Sequence, residues 1–371
     1  MRLIFIVQGE GRGHLTQALA LERLLRHRGH EVVRVLAGRS RRRELPDFFT
    51  KNLRAPLVRF DSPNFRPGQG NRRIRLAASV AYNLWRLPRY ARSAARIRRE
   101  IRESEADLAV NFYEPMAGLA YHLFPPATPM VCIGHQYLFL HHDFQLPHSC
   151  RAALRGLNAF TRLTAPRSCR RVALSFRPMP ADAKENLVVV PPLLREEVFA
   201  CKPATGDYIL GYMLNDGFAA DVEAWHRAHP AVPLHFFWDR KGAPRVTRVD
   251  ATLSYHSLDD HEFLQRMAGC RAFASTAGFE AVCEAMLLGK PVLMVPAHIE
   301  QECNACDAAM SGAGCVSRRF DLSRLLDFAR NHRPDPAFAR WAETAGERIA
   351  DELEQAANAP LYRLLAAAGL A

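Results

Sequence analysis

Short apolar runs alternating with helical patterns make this 371-residue chain an α/β protein of two doubly wound parallel sheets. Two more observations agree. A glycine-rich turn, Gly9-Glu10-Gly11-Arg12-Gly13-His14, follows directly on the first apolar run, as at the start of a βαβ unit. The length also exceeds what one hydrophobic core usually serves, so two domains are expected.

The elements follow in order. Residues 2–7 are an apolar run of strand length, and 15–27 carry Leu15, Ala18, Leu19, Leu21, Leu24 and Leu25 at helical spacing. Gly29 stops that helix, and 31–37 form a second strand. Further strands are expected at 57–60, 108–112, 130–133, 172–176 and 187–190. Pro191-Pro192 then closes a first domain, 1–192, and 193–206 read as a linker. A second domain, 207–340, repeats the alternation. Its strands are expected at 208–212, 234–238, 252–255, 272–275, 291–295 and 315–317, and its helices at 217–229, 260–267, 279–288 and 301–310. The Ala-rich stretch 335–371 reads as helical.

The charge is unevenly spread. Residues 1–192 hold 32 Lys+Arg and 14 Asp+Glu, a net of +18; the remainder hold 18 and 24, a net of −6. The two halves should therefore meet different partners. No apolar run reaches the roughly 18–20 residues a bilayer span needs, and residues 1–7 are too short for a signal peptide. Nine cysteines without framework spacing point to free thiols in a reducing cytoplasm. Cys303-Asn304-Ala305-Cys306 stands alone, without the second pair a zinc site wants. The sequence has no Asp-x-Asp for a nucleotide-bound metal and no GxxxxGK[ST] phosphate loop, so neither metal nor cofactor is expected.

The second half holds the most informative segment. A strand ends at Ser275, and Thr276-Ala277-Gly278 opens a helix whose first N–H groups suit a diphosphate. Glu284 lies one turn beyond Glu280, where a carboxylate can accept two sugar hydroxyls. The next strand ends at Pro296, and Glu300-Gln301 occupies the loop before another helix, where both side chains can bind a polyol. Together with Gly289, Pro291 and Asn304-Ala305, this stretch from 276 to 305 resembles the nucleotide-sugar signature of inverting glycosyltransferases of the GT-B fold. It is similar to that of the lipid-linked N-acetylglucosaminyltransferase of peptidoglycan synthesis and to those of plant and antibiotic glycosyltransferases.

The resemblance implies two Rossmann-like domains facing a central cleft, with a C-terminal helix, 341–371, packed back on the first. It implies Thr276, Ala277 and Gly278 on the diphosphate, Glu284 on the ribose, and Glu300 and Gln301 on the transferred sugar. Leu258 would hold the uracil through its backbone. Plant members carry His where Thr276 stands.

In the first half, the turn departs from GxGxxG: the third glycine is one residue early, and no acid ends the second strand. Arg39 there leaves NADP binding as an alternative. The Gly-x-Gly-His arrangement resembles the first loop of the same glycosyltransferases, with Gly11 and Gly13 near the donor phosphates and His14 facing the cleft. His has the right ordinary pKa to take a proton from an acceptor hydroxyl. In the relatives an Asp is expected where Asn111 stands, so Glu114 is the candidate partner of His14; a helix N-terminal carboxylate is the other reading of it. His135 and Gln136 follow a strand and are expected on the acceptor side. His135, His141 and His142 also suggest a metal, but no further ligand sits at suitable spacing.

Residues 72–102, from Arg72 to Arg102, hold ten Arg among Trp85, Tyr90 and aliphatic side chains, and 39–43 add four more. A basic amphipathic helix of this kind suits an anionic membrane or a lipid-linked acceptor. It carries no helix-turn-helix, zinc-finger or RNP pattern, so nucleic acid is not an expected partner. The implied protein is an inverting, metal-independent transferase. It would move a hexose or N-acetylhexosamine from a UDP-sugar to a lipid-linked or small-molecule hydroxyl, in the cytoplasm or peripherally on the inner face of its membrane. A UDP-sugar epimerase of the same fold, or a basic membrane- or nucleic-acid-binding protein with a vestigial donor site, are the alternatives.

Overall fold

The computed structural model describes residues 1–39, 45–63, 86–147, 151–213, 216–240 and 242–358. In the first half, β1 (Arg2–Val7), β2 (Glu31–Arg39), β3 (Leu57–Asp61), β4 (Leu108–Phe112), β5 (Met130–Ile133), β6 (Arg170–Leu174) and β7 (Leu187–Val190) form one sheet. Its order is β3-β2-β1-β4-β5-β6-β7, all parallel. In the second half, β8 (Ile209–Met213), β9 (Leu234–Trp238), β10 (Val246–Arg248), β11 (Leu253–Ser257), β12 (Ala272–Ser275), β13 (Val292–Met294) and β14 (Gly314–Val316) form another. The order β10-β11-β9-β8-β12-β13-β14 repeats the first, with β10 as an antiparallel edge. Strands such as β1, buried from Leu3 to Val7, read as continuous apolar runs because helices cover both faces.

The described helices are α1 (Arg12–His27), α2 (Asp47–Asn52), α3 (Leu87–Ser104), α4 (Pro115–Leu123), α5 (Arg151–Thr164), α6 (Glu196–Phe199) and α7 (Ala219–Ala228). They continue with α8 (Asp260–Gly269), α9 (Phe279–Leu287), α10 (Ile299–Met310), α11 (Leu322–Asn331), α12 (Pro336–Glu343) and α13 (Ala345–Asn358). Among the described residues none is long and apolar enough to cross a membrane.

The edge strand β10 has no counterpart in the sequence reading, and three further features depart from that reading. Strand β6 starts two residues early, on Arg170 and Arg171, whose guanidinium groups leave the sheet for Glu352 and Glu185. Ser175 already lies past its end, and its carbonyl accepts the Trp341 indole N–H at 3.1 Å. The linker contains the short α6 and is stitched to the second half: Lys290 Nζ donates to the Ala204 carbonyl at 2.5 Å, and Gly206 N to the Gly269 carbonyl at 2.9 Å. The helical tail breaks at Thr344 into α12 and α13, and its residues beyond Asn358 lie outside the described ones. So do 40–43 and 72–85 of the basic stretches.

α13 rests on the first sheet and α1. His30 Nε2 meets Glu354 Oε1 at 2.9 Å, and Arg170 Nε lies 3.4 Å from Glu352. The chain thus passes from one half to the other twice. One apolar cluster runs without a break from Phe5 and Leu19 through Phe176 and Phe279 to Phe273, and on to Leu353. In each sheet the strand order reverses once, between β1 and β4 and between β8 and β12. Ligands of doubly wound sheets bind beyond the strand ends at such points.

Candidate functional site

The two reversal points face each other. From the first come the turn after β1 and the turn after β4; from the second, the turn after β12 and the start of α10. Glycine is required at Gly9 in the first turn, and Gly13, in the first turn of α1, permits a close approach of the other half. A Cβ at Gly9 would run into the Gly38 carbonyl, and one at Gly13 would lie 3.2 Å from Glu280 Cγ in the other half. Gly11 leads into α1 as its N-cap.

His14 sits in the first turn of α1 and is buried. Its ring stacks on Tyr113 at 5.7 Å between centroids. Burial lowers its pKa, only partly opposed by Glu300 across the cleft. Nε2 lies 3.4 Å from the amide nitrogen of Gln136, and that same nitrogen donates to Glu300 Oε1 at 2.9 Å. The fold therefore unites three residues singled out in the sequence, and it turns Gln136 toward Glu300 in the second half.

Glu114 is placed differently from the expected His14 partner. It is fully buried and caps α4, accepting from Met116 N at 3.0 Å and Ser62 Oγ at 2.7 Å. Its other oxygen crowds Gly38 and has no hydrogen-bond partner among the described residues. Burial pushes its pKa to about 7. No hydrogen bond to His14 forms, because Tyr113, at φ 58°, puts its own ring against the imidazole. Asn111 holds this turn by donating to the Thr164 carbonyl at 2.8 Å and accepting from Glu114 N at 2.8 Å.

His135 is buried as well. It stacks on Phe279 at 4.0 Å, with Phe176 at its edge, and burial takes its pKa down to about 3. This is an apolar seam between the halves rather than an open acceptor surface. The His141–His142 pair gains a third group the sequence spacing hid, Asp182. Their atoms already have partners: His142 N and Nδ1 donate to Asp182 Oδ2 at 3.0 and 2.9 Å, and His141 Nε2 meets the Pro180 carbonyl at 2.9 Å. The trio closes a loop.

In the second half the turn after β12 leads straight into α9. Thr276 is buried, and Gly278 is the N-cap with open space around it. The left-handed position falls on Ala277, φ 57°, not on the glycine. Asn304 Nδ2 donates to the Ala277 carbonyl at 3.2 Å, which ties the turn to α10. Gln301 Oε1 accepts from Ala297 N at 2.8 Å and shapes the loop ahead of α10. Leu258 lies on the loop before α8, whose N-cap Asp259 accepts from Glu262 N at 2.8 Å. Glu284 is gripped in two places by Arg195 of the linker, at 2.6 and 2.9 Å.

Residues the sequence reading passed over complete the cleft. Gln17 donates to Glu280 at 2.5 Å, Arg12 to Asp260 at 2.7 Å and Arg177 to Asp307 at 3.2 Å, each from the first half to the second. Burial raises Glu280 to about 8 and Asp307 to about 6. Only Glu280 had a signal, its place one turn before Glu284; the others pair over distances no local pattern encodes.

A family model described as Glycosyl transferase family 1 matches residues 1–332. Solved structures share the architecture along nearly the whole chain. The glycotransferase of kitacinnamycin aligns at 18% identity and TM-score 0.60, over 96% of this chain and 98% of its own. Arabidopsis thaliana UGT89C1, solved complexed with quercetin and with UDP, aligns at 14% and 0.62, over 96% and 99%. Acinetobacter baumannii MurG aligns at 16% and 0.55, over 95% and 99%. No curated protein sequence matches the chain.

Proposed function

The chain belongs to glycosyl transferase family 1 and has the GT-B fold, and we propose that it transfers a hexose or N-acetylhexosamine from UDP with inversion, using His14 as base. The observation that carries this reading is the meeting of His14, Gln136 and Glu300 across the cleft, at the reversal points of both sheets. A solved neighbour complexed with UDP supports the choice of nucleotide.

In the proposed step the acceptor oxygen attacks C1 of the sugar as its proton passes to His14. The C1–oxygen bond to the diphosphate breaks on the opposite face, and the pair leaves with UDP. Free N–H groups at the start of α9, beside Thr276, Ala277 and Gly278, would take the charge of the leaving diphosphate without a metal. Gly11 and Gly13 let the first turn close over it. Glu300 would hold sugar hydroxyls, with Gln301 supporting its loop; Glu284, oriented by Arg195, would face the ribose, and Leu258 the uracil. In this reading Glu114 shapes the turn that carries Tyr113, and His135 seals the cleft.

The exposed face of α3 carries Arg89, Arg92, Arg96 and Arg99. It would meet an anionic acceptor or the membrane bearing it, each cation contributing about 1 kcal/mol near such a surface. The free cysteines suit a cytoplasmic place beside that membrane. NMR of the product should show inverted anomeric configuration, and His14→Ala should lower kcat/KM by about 100-fold or more. Retained configuration, unimpaired His14→Ala, or epimer released from UDP-N-acetylglucosamine alone would each sink the reading.

A further inference from the structure

With Glu114 turned away, another group must orient His14 if the ring is to act as a base. Tyr113 covers one face at 5.7 Å, which fixes the ring plane but not which nitrogen holds the proton. Gln136 supplies that. Its amide nitrogen lies 3.4 Å from His14 Nε2 and 2.9 Å from Glu300 Oε1. An amide nitrogen only donates. Glu300 decides which end of the amide faces the cleft, since the carbonyl end would oppose a carboxylate. The His14 nitrogen it meets is therefore the lone pair, and the ring proton belongs on Nδ1, which has no hydrogen-bond partner among the described residues. Gln17, whose amide oxygen is also without one, is the side chain that faces the ring from the same helix. The amide oxygen lies over Gly134, where a Cβ would come within 2.9 Å of it, and it has no hydrogen-bond partner among the described residues.

We propose that Gln136 is a positioning residue, which holds His14 in the tautomer whose Nε2 can take a proton and links that nitrogen to Glu300 across the cleft. The inference rests on the reading of His14 as base. One side chain then serves both substrates: the acceptor hydroxyl reaching Nε2 and the sugar hydroxyl reaching Glu300 each replace one N–H of the same amide.

The test is nitrogen-15 NMR of the full-length, histidine-labelled protein, with the His14 signals assigned by their loss in His14→Ala. Nδ1 should carry the proton and Nε2 should be bare wherever the ring is neutral. In Gln136→Leu the neutral ring loses a donor to its lone pair, so proton binding at His14 should tighten about threefold to tenfold. Gly134→Ala, which displaces the amide without removing it, should give a smaller change of the same sign. The other groups facing His14 are Tyr113, Gln17 on its own helix, Glu280 beyond Gln17, and Glu300 from α10. Their side chains are retained in these variants, but Glu300 loses the Gln136 donor in Gln136→Leu and then favours protonated His14 more strongly. Gln136→Leu with Glu300→Gln is therefore compared with Glu300→Gln alone, and the shift should persist in that pair. In turnover, the acidic limb of kcat/KM should move to higher pH by the same factor. A proton found on Nε2, or proton binding unmoved in Gln136→Leu, overturns the proposal. Neither measurement needs turnover, so activity retained in His14→Ala would strike the base assignment separately.

Discussion

At the scale of single residues, two carboxyl groups stand out because the fold favours their neutral form. Burial raises Glu114 to about 7 and Glu280 to about 8, from an ordinary 4.5. The unfolded chain gives up these protons near 4.5, so above that point it binds fewer than the folded chain until both sites have ionised. Stability from these two groups therefore falls as pH rises from 4.5 to about 8. His135 acts in the opposite direction: held down to about 3, it removes stability only below its ordinary 6.5. From about 6.5 to 7.5 the two carboxyls thus dominate. Nearer about 8.5 the buried thiols of Cys132, Cys169, Cys270 and Cys303, which burial pushes up, add a loss of stability of the same sign. The melting temperature should drop across the lower window, and Glu114→Gln with Glu280→Gln should flatten the drop. An equal drop in wild type and double variant would assign it to other groups.

At the scale of elements, strain and long-range pairing shape the site. Tyr113 and Ala277 take left-handed backbone at the ends of β4 and β12, the reversal strands of the two sheets. Such backbone costs an L-residue on the order of 1 kcal/mol. Ala277→Gly should keep or slightly raise stability, whereas Ala277→Val should cost about 2 kcal/mol or more and weaken UDP binding. Thermal melts and calorimetry check both, and a Val variant that melts like wild type would remove strain from the account. Arg195→Ala should cost about 3–5 kcal/mol in chemical denaturation, because it strands Glu284, 5% exposed, without its cation. Arg195→Lys should restore only part of that, having no fork to match the carboxylate.

The same elements show what could be read in advance. β1, β4, β5, β7, β9 and β12 were legible to the residue because strands covered on both faces are plain apolar runs. β6 was blurred by Arg170 and Arg171, which begin it, and β10 by being a short half-exposed edge. The segment from Thr276 to Ala305 revealed the second reversal point because its spacing is local. Arg195 and Glu284, 89 residues apart, left no such trace. Glu114 kept two readings in the sequence, because a carboxylate before a helix looks the same whether it turns to a cap or to an imidazole, and the structure shows the cap.

At the scale of the whole molecule, the charge asymmetry acquires a geometry. Four side-chain bridges across the cleft run from a donor of the first half to a carboxyl group of the second: Arg12 to Asp260, Gln17 to Glu280, Gln136 to Glu300, Arg177 to Asp307. Salt should loosen the two ion pairs, Arg12–Asp260 and Arg177–Asp307, while leaving the amide bridges and the His135–Phe279 stack intact. Small-angle scattering should therefore show a larger radius of gyration at about 0.5 M than at about 0.05 M salt. Arg12→Ala with Arg177→Ala should already be expanded at low salt. A radius indifferent to both would mean that the apolar seam alone keeps the cleft closed.

The return of α13 to the first sheet also bears on how the chain is made. The first half is discontinuous in sequence: β1 to β7 emerge early, while the helix that covers α1 and this sheet emerges only after the whole second half. At ribosomal rates of about 5–20 residues per second, that apolar surface waits uncovered for roughly 10–30 s. A nascent chain in this state is a natural client for a chaperone, and removing α13 would leave it one permanently.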